Sequence, residues 1–529
     1  MKRNICAVCV IIVLLLTGCA TPTDNDTLQT LNFNLGSEPG TLDPQLNKDL
    51  YGGSVINNLY EGLFRCVNGV VVPAIAKSYS VSADGLKYTF KLINSKWSDG
   101  SELTAYDFEY AWKRALDPKL ASEYAYQLYY IANSEAYHKG LSPVESVGIK
   151  AVDANTLEVL LNQPTPFFLE LLTTFTFMPT KKEVVESKYD GAWSLNPATS
   201  VTNGPFKLDT FNSGSQIKLV KNPEYHNRSS VSLDVINIYM INEATTSLTA
   251  FESGQIDIID SVPNVEVPRL LNESHQLKIN PMIATAYYGF NILKAPFDNL
   301  NVRKALTLAV NRKLLVEEVT KAGELPAAGF MPPGLLDAYG KDFNMVAGDY
   351  GLEYNPDLAR QLMSDAGYHN GEGFPTVELF YNTSESNHLI AVALQEMWKN
   401  ELGISIELVS QEFAVFQTTK AERQYQIARG SWFGDYSDPL SMLEIWTSDN
   451  PINSTGWTND KYDALISSAK SKNDASRYND LYQAESILMS EAPILPLYYY
   501  TDLYMVSDSV TGYEKTNTGL WYFGKTKKS

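Results

Sequence analysis

An α/β fold divided into two or three lobes is what this 529-residue sequence predicts, and three observations carry that expectation. The length exceeds what one hydrophobic core usually supports. Short alternating strands and short helices are mixed along the whole chain, as α/β lobes require. Around residues 389–409 a helix, a glycine and a strand follow one another with short connections, so a crossover unit and a largely parallel sheet are expected there. With 44% hydrophobic residues the chain can fill substantial cores, and its formal net charge of −19 argues against nucleic acid and anionic membrane surfaces as partners.

Lys2 and Arg3 precede an apolar run from Ile5 to Leu16, followed by Thr17-Gly18-Cys19. A basic start, a short apolar core and a small-residue cleavage site predict a signal peptide over residues 1–18, too short for a comfortable membrane span. The cysteine directly after Thr-Gly resembles a bacterial lipobox, which implies acylation of Cys19 and a lipidated tether over residues 19–27. Losing Lys2 and Arg3 takes the net charge from −19 to −21. Cys6 and Cys9 leave with the signal and Cys66 remains alone, so no intramolecular disulfide is expected.

Leu28 to Leu35 alternates as a half-buried strand does, and Gly36 to Pro44 breaks it. Lys87 to Leu92 reads as a strand, followed by a turn and a helix capped by Thr104, with Asp107 completing a capping box. Val147 to Leu161 reads as two strands around Asp-Ala-Asn, and Pro164-Thr165-Pro166 opens a helix from Phe167 to Leu172. Further strands are expected at Ile217 to Val220, Asp234 to Met240 and Ile256 to Ile259, the last after a helix over Thr246 to Ser253. Asn301 to Ala322 carries helical periodicity with an Asn cap and Gly323 as its stop. The helix Leu389 to Leu402 ends at Gly403 and feeds the strand Ile404 to Val409; helices over Asp460 to Lys470 and Ser476 to Glu491 precede an apolar strand over Ala492 to Tyr500. The three consecutive tyrosines closing that strand cannot share a face.

One loop stands out chemically. A strand ending in Tyr425-Gln426-Ile427-Ala428-Arg429 delivers Trp432, Asp435, Tyr436 and Asp438 within a few residues. An acid among aromatic rings suits a cationic group held out of water, because a lone ammonium there needs a paired carboxylate. Gly434-Asp435 and Asp438-Pro439 are equally ordinary turn dipeptides, and on the residues alone both readings stand.

This loop, together with Leu59-Tyr60-Glu61-Gly62-Leu63-Phe64, Asp84-Gly85-Leu86-Lys87-Tyr88-Thr89-Phe90, Trp97-Ser98-Asp99-Gly100 and Leu103-Thr104-Ala105-Tyr106-Asp107-Phe108, resembles the bacterial oligopeptide-binding proteins. These are the family 5 extracellular solute-binding lipoproteins of peptide ABC importers. The resemblance implies a periplasmic-binding-protein-like clamp of class II (cluster C), with two α/β ligand-binding lobes and an additional lobe. Lobe I would comprise residues 28–61, 181–285 and 502–529, lobe II residues 62–180, and lobe III residues 286–501. Two chain crossings would make a hinge, and closure would bury the ligand.

The same resemblance implies site residues. Asp435 would bind the ligand α-ammonium, Trp432 would stack nearby, and the backbone of Arg429, Gly430 and Ser431 would pair with the peptide. The extended Lys48-Asp49-Leu50 segment would line one wall of the ligand cleft through its backbone, a mode indifferent to side-chain sequence, though it reads equally as a solvated connecting loop. Tyr124, in Ala121-Ser122-Glu123-Tyr124, Tyr287 and Tyr500 would also reach the ligand; Tyr124 reads equally as a core aromatic among Tyr126, Tyr129 and Tyr130. The chain departs from the family pattern at Phe413, where relatives often have Trp, at Asn387 for His, at Lys420 for Arg and at Gly289 for Glu. These changes bear on ligand length more than on ligand class. Arg429 and Lys420 remain candidate carboxylate partners. The expected partners are a peptide, the permease subunits and a membrane reached through the lipid; a monomer with no cofactor and no catalytic activity is expected. Murein peptides, signalling peptides, nickel or haem are alternative cargoes on the same fold.

Other chemistry is weakly supported. Gly519 to Thr526 fits the phosphate-loop pattern, but only three residues follow, so no helix can complete it. Asp435 with Asp438, or Glu38 with Asp43, are possible acid pairs for glycoside hydrolysis, though acids are abundant here. The five histidines and Cys66 show no metal-ligand spacing.

Overall fold

The computed structural model describes residues 28–67, 69–187, 192–411, 413–450, 452–472 and 474–529, without the side chains at positions 385, 413 and 414. The predicted signal, Cys19 and the tether lie outside the described residues. The fold is mixed α/β, and its spine is an eleven-stranded sheet.

One half of that sheet is assembled from distant segments. In spatial order it runs Phe206–Asn212, Gln216–Lys221, Val235–Tyr239, Thr30–Asn34 and Ile258–Ile259. Two long strands, Ile494–Val506 and Leu277–Phe290, then carry the sheet into its other half, where Ile427–Phe433, Val377–Asn382 and Ile406–Gln411 follow; the short strand Leu325–Pro326 pairs with Ile494–Val506 off this path and is the eleventh. The two long strands pair antiparallel with register breaks, the wider one between Pro281 and Thr285. Proline has no amide to give to a ladder, which accounts for the break beginning there.

Each half has its own core. Phe33 packs against Trp521 and Phe523 at 5.3 and 5.2 Å between ring centroids, so the C-terminal tail fills the first half. In the second half Phe290, Leu306, Leu379, Leu394 and Ile427 are fully buried around Trp398, whose indole N–H donates to the Leu306 carbonyl at 2.9 Å. A separate four-stranded antiparallel sheet (Ala76–Val81, Lys87–Leu92, Thr156–Leu160, Ile149–Asp153) carries the helix Ala105–Ala115. That helix starts as the sequence requires: the Asp107 carboxylate accepts from the Thr104 amide at 2.7 Å.

Three expectations need correction. The helix read over Asn301 to Ala322 is interrupted: Leu300–Leu308 ends, and Asn311 caps a restart at Arg312–Leu314 by accepting from the Leu314 amide, followed by a π-helical turn over Leu315–Thr320. Its true first cap is Asn299. The strand after Gly403 is Ile406–Gln411, two residues later than read. The second half-sheet is parallel only among Val377–Asn382, Ile406–Gln411 and the start of Ile427–Phe433; the long strand Leu277–Phe290 joins antiparallel and makes the sheet mixed. At the C-terminus, Trp521–Tyr522 is a strand paired with Glu514–Lys515, and Lys525 bonds Glu514 at 2.9 Å, so no phosphate cradle forms.

Candidate functional site

The strand Ile427–Phe433 sits at the centre of the second half-sheet and is asymmetric in its pairing. One edge is bonded to Leu277–Phe290 along all seven residues, from Phe290 opposite Ile427 to Ala284 opposite Phe433. The other edge meets Val377–Asn382 only at Ile427 and Ala428. From Arg429 to Phe433 that edge has no strand partner among the described residues, and unpaired amides and carbonyls are a template for an added extended chain.

Side chains alternate along it. Gly430 faces the ring of Tyr287, where a Cβ would lie 2.2 Å from a ring carbon, so glycine is required. Tyr287 itself is buried against Phe330 and Trp446 at 5.7 and 5.3 Å. Trp432, on the same face, donates its indole N–H to the Ser441 carbonyl at 2.7 Å. On the opposite face Arg429 donates to the Tyr500 hydroxyl at 2.9 Å, and Phe433 lies over the Tyr500 ring at 5.1 Å. Tyr499 points the other way, with its hydroxyl bonded to Gly329, as the alternation of a strand demands.

Beyond Phe433 the chain turns, with the Gly434 amide held by the Ile283 carbonyl at 2.8 Å. The two acids of this loop have different fates. Asp438 is buried and takes both ends of the Arg477 guanidinium, at 2.6 and 2.9 Å, while also capping Leu440. Asp435 has no cation within salt-bridge distance among the described residues and accepts one hydrogen bond, from the Tyr126 hydroxyl at 3.0 Å. Burial pushes its carboxyl up to about 6; the Tyr126 bond opposes the rise and Glu444 adds to it. Of the two acids read as a possible hydrolytic pair, Asp438 is thus committed to Arg477 and to the cap of Leu440. Asp43 is likewise held by Arg114, at 2.5 and 2.8 Å.

Asp435 opens onto a cavity of about 350 Å³ that also touches Lys48, Asp49, Leu50, Tyr124 and Phe433. The Lys48 to Leu50 segment differs from its expected form. Leu50 is the first residue of the helix Leu50–Leu59, and Asp49 is the extended N-cap, accepting from the Gly52 amide at 2.6 Å. The Asp49 carbonyl is also taken, by Gly53 and Asn47. Only Lys48 keeps its backbone free of hydrogen bonds among the described residues, and its ammonium pairs with Glu123 at 2.6 Å. Tyr124 lines the cavity and packs on Phe175 and Tyr126, each at 5.7 Å.

At the opposite end of the open edge lies a cationic cluster. Arg429 donates to Asn382 at 3.3 Å, and Asn387 donates to the same Asn382 side chain at 3.1 Å, so one amide joins two expected residues. Lys420, on the helix Phe413–Ala421, has its ammonium 5.6 Å from the centroid of the Phe416 ring. Burial, with Arg429 adding repulsion, lowers its pKa to about 8. Among the described residues neither cation has a carboxylate within 4 Å. Two half-buried cations so placed are suited to bind a carboxylate.

The structure thus brings Asp435, Tyr124 and Lys48 to one cavity, and Arg429, Lys420, Asn387 and Tyr500 to the other end of one strand edge. It does not bring Tyr287 or Trp432 there: both pack behind the sheet, because strand alternation turns Gly430 and Trp432 away from Arg429 and Phe433. The Phe413 side chain lies outside the described residues. A side chain at Gly289 would meet Thr455 at 3.3 Å, so that position faces packing rather than a pocket. Sequence reasoning missed Tyr126 as the partner of Asp435 and Asn382 as the bridge. Tyr126 sat in an aromatic run that reads as core, and Asn382 follows an apolar strand without any motif.

The profile of bacterial extracellular solute-binding proteins, family 5 (middle region), matches residues 70–454. The chain is 36% identical to an oligopeptide-binding protein of Bacillus subtilis, covering 93% of this chain and 92% of that one. It is 34% identical to a periplasmic murein peptide-binding protein of Escherichia coli, over 92% and 91% of the two chains. A solved periplasmic murein tripeptide-binding protein in its unliganded open form superposes with a TM-score of 0.81 at 32% identity, covering 95% of this chain and 98% of that one.

Proposed function

We propose that this chain, which belongs to the bacterial extracellular solute-binding proteins of family 5, captures oligopeptides and delivers them to the permease of an ABC importer. The observation that supports this best is the open edge from Arg429 to Phe433, with a carboxylate at one end and two cations at the other that have no opposite charge within salt-bridge distance among the described residues. A peptide in extended form is complementary to all three features: its backbone pairs with the edge, its ammonium meets Asp435 and its carboxylate meets Arg429 and Lys420. At roughly 3.3 Å per residue, the four steps of open edge from Arg429 to Phe433 span about 13 Å, which suits a ligand of about five residues. Capture needs no bond-making step.

Residues 28–61, 181–285 and 502–529 form one lobe of the clamp in this reading, with 62–180 and 286–501 as the others; closure about the two long strands buries the ligand. The lipobox at Cys19 anchors the receptor at the outer face of the membrane. Among the described residues no helix is long and apolar enough to cross a membrane. Purification without denaturation, followed by mass spectrometry of retained ligand and calorimetry with peptides of two to eight residues, tests the reading. Intact peptides with tightest binding near five residues are expected; no retained peptide and no binding at any length overturns it.

A further inference from the structure

The cavity beside Asp435 differs in character from the strand edge that leads away from it. Its inner wall is made by Phe64, Phe175, Met178, Met282, Ile283 and Leu520, brought together from four segments of the chain. The charged side chains that reach this wall already have partners, although the buried Arg65 Nε itself donates to none of them among the described residues and stays unbonded. Arg65 lies over the Tyr522 ring at 3.7 Å, donates to Asn57 at 2.8 Å and sits 3.6 Å from Glu61. Asp49 caps its helix, and the Lys48 ammonium is held by Glu123. Asp435 alone, of the acids lining the cavity, neither caps a helix nor pairs with a cation among the described residues.

We propose, resting on the peptide-receptor reading above, that this chamber selects peptides whose first residue carries an apolar side chain of the leucine or methionine class. The first α-carbon bears both the ammonium and the first side chain, so an amine anchored at Asp435 commits that side chain to the chamber. A charged side chain there loses its hydration against an apolar wall and finds no free counter-charge. A cationic one also meets the Arg65 guanidinium, whose own partners are spoken for. Later residues lie along the open edge, where backbone pairing is indifferent to their identity. The receptor is therefore general along the peptide and selective at its amino terminus.

Calorimetry on the wild-type protein with pentapeptides X-Ala-Ala-Ala-Ala, X being Leu, Met, Gly, Asp or Lys, reads this directly, with the same five residues at position four as the control. Burying one aliphatic side chain predicts that Leu and Met bind about tenfold or more tighter than Gly. Asp and Lys should bind weaker than Gly, and the position-four series should be flat within about threefold. A flat first-position series, or one led by a charged residue, overturns the selective chamber and leaves the receptor reading standing. Failure of every peptide to bind overturns both. Cys66→Phe fills the chamber from its lining and should draw the Leu-to-Gly ratio towards one; because the ratio is taken within one protein, a loss of folded fraction does not obscure it. An unchanged ratio places the selectivity elsewhere and sinks the proposal.

Discussion

Replacing Asp435 by Asn should raise stability and weaken binding at once, and the structure gives both magnitudes. The carboxyl is raised from its ordinary 3.8 to about 6, mainly by burial. A folded pKa above the unfolded one means that protons favour the folded state: the penalty is absent below about pH 4 and fully present above about pH 6. The rise corresponds to about 3 kcal/mol at full ionisation, and the half-buried position reduces this to about 1–2 kcal/mol. Asn keeps the shape and still accepts from Tyr126 at 3.0 Å, so at pH 7.5 the unliganded protein should melt about one or two degrees higher. Binding moves the other way. An ammonium left unpaired in a closed cleft costs about 3–5 kcal/mol, a few hundredfold or more in affinity. Calorimetry with paired free-amine and N-acetylated pentapeptides isolates the charge, since the acetylated ligand should bind both proteins alike. Equal losses for the two ligands, or a lower melting temperature, would show that Asp435 is a turn residue and that the amine is held elsewhere.

Affinity for peptides with both termini free should be greatest between about pH 6 and 8. It should fall about tenfold per unit on the acid side as Asp435 protonates; N-acetylation should abolish that limb and leave an alkaline one set by Lys420, whose depressed pKa is about 8. Lys420→Met should remove the alkaline limb for acetylated peptides, and a profile unchanged by either modification refutes the assignment. Cys66 lines the cavity as a half-buried free thiol raised by burial, so bound peptide should slow its alkylation several-fold, read by mass spectrometry; equal rates with and without ligand would place the ligand elsewhere. Arg477→Ala strands Asp438 in the core and should cost about 3–5 kcal/mol, seen as a lower urea midpoint, whereas adding Asp438→Asn should recover much of it.

The parts of this fold legible in the sequence are those whose signals are local. Ser476–Glu491 and the stop at Gly403 are found where periodicity and a left-handed cap place them. The helix over Asn301 to Ala322 was misjoined because apolar periodicity runs on through Asn311, while the break depends on where that side chain finds a backbone amide. Nothing local announces that Leu277–Phe290 joins the second half-sheet antiparallel, so a crossover pattern that holds for its neighbours was extended too far. The site divides likewise. The acid loop is a local cluster, but Tyr126 stands 309 residues from Asp435, and only the closed chain brings them together. Gly430 looks like one more flexible position in the sequence; the Tyr287 ring packed over it makes it obligatory.

Two kinds of selectivity follow from where the site residues are mounted. Arg429 and Phe433 belong to one strand, bonded along its whole length to Leu277–Phe290, and Asp435 is tied to that same neighbour through Gly434 and the Ile283 carbonyl. The distance between the acid and the cations is therefore built into a single rigid unit, and preference for ligand length should not depend on how far the clamp closes. The chamber is different. Leu520 comes from the C-terminal tail, Phe175 and Met178 from near the four-stranded sheet, and Met282 and Ile283 from the interval where the long strands lose their pairing, between Pro281 and Thr285. In the clamp proposed above those walls belong to different lobes and move with them. On that proposal, reading of the first side chain is coupled to closure: an apolar residue that gains burial in the closed state favours that state by the same amount.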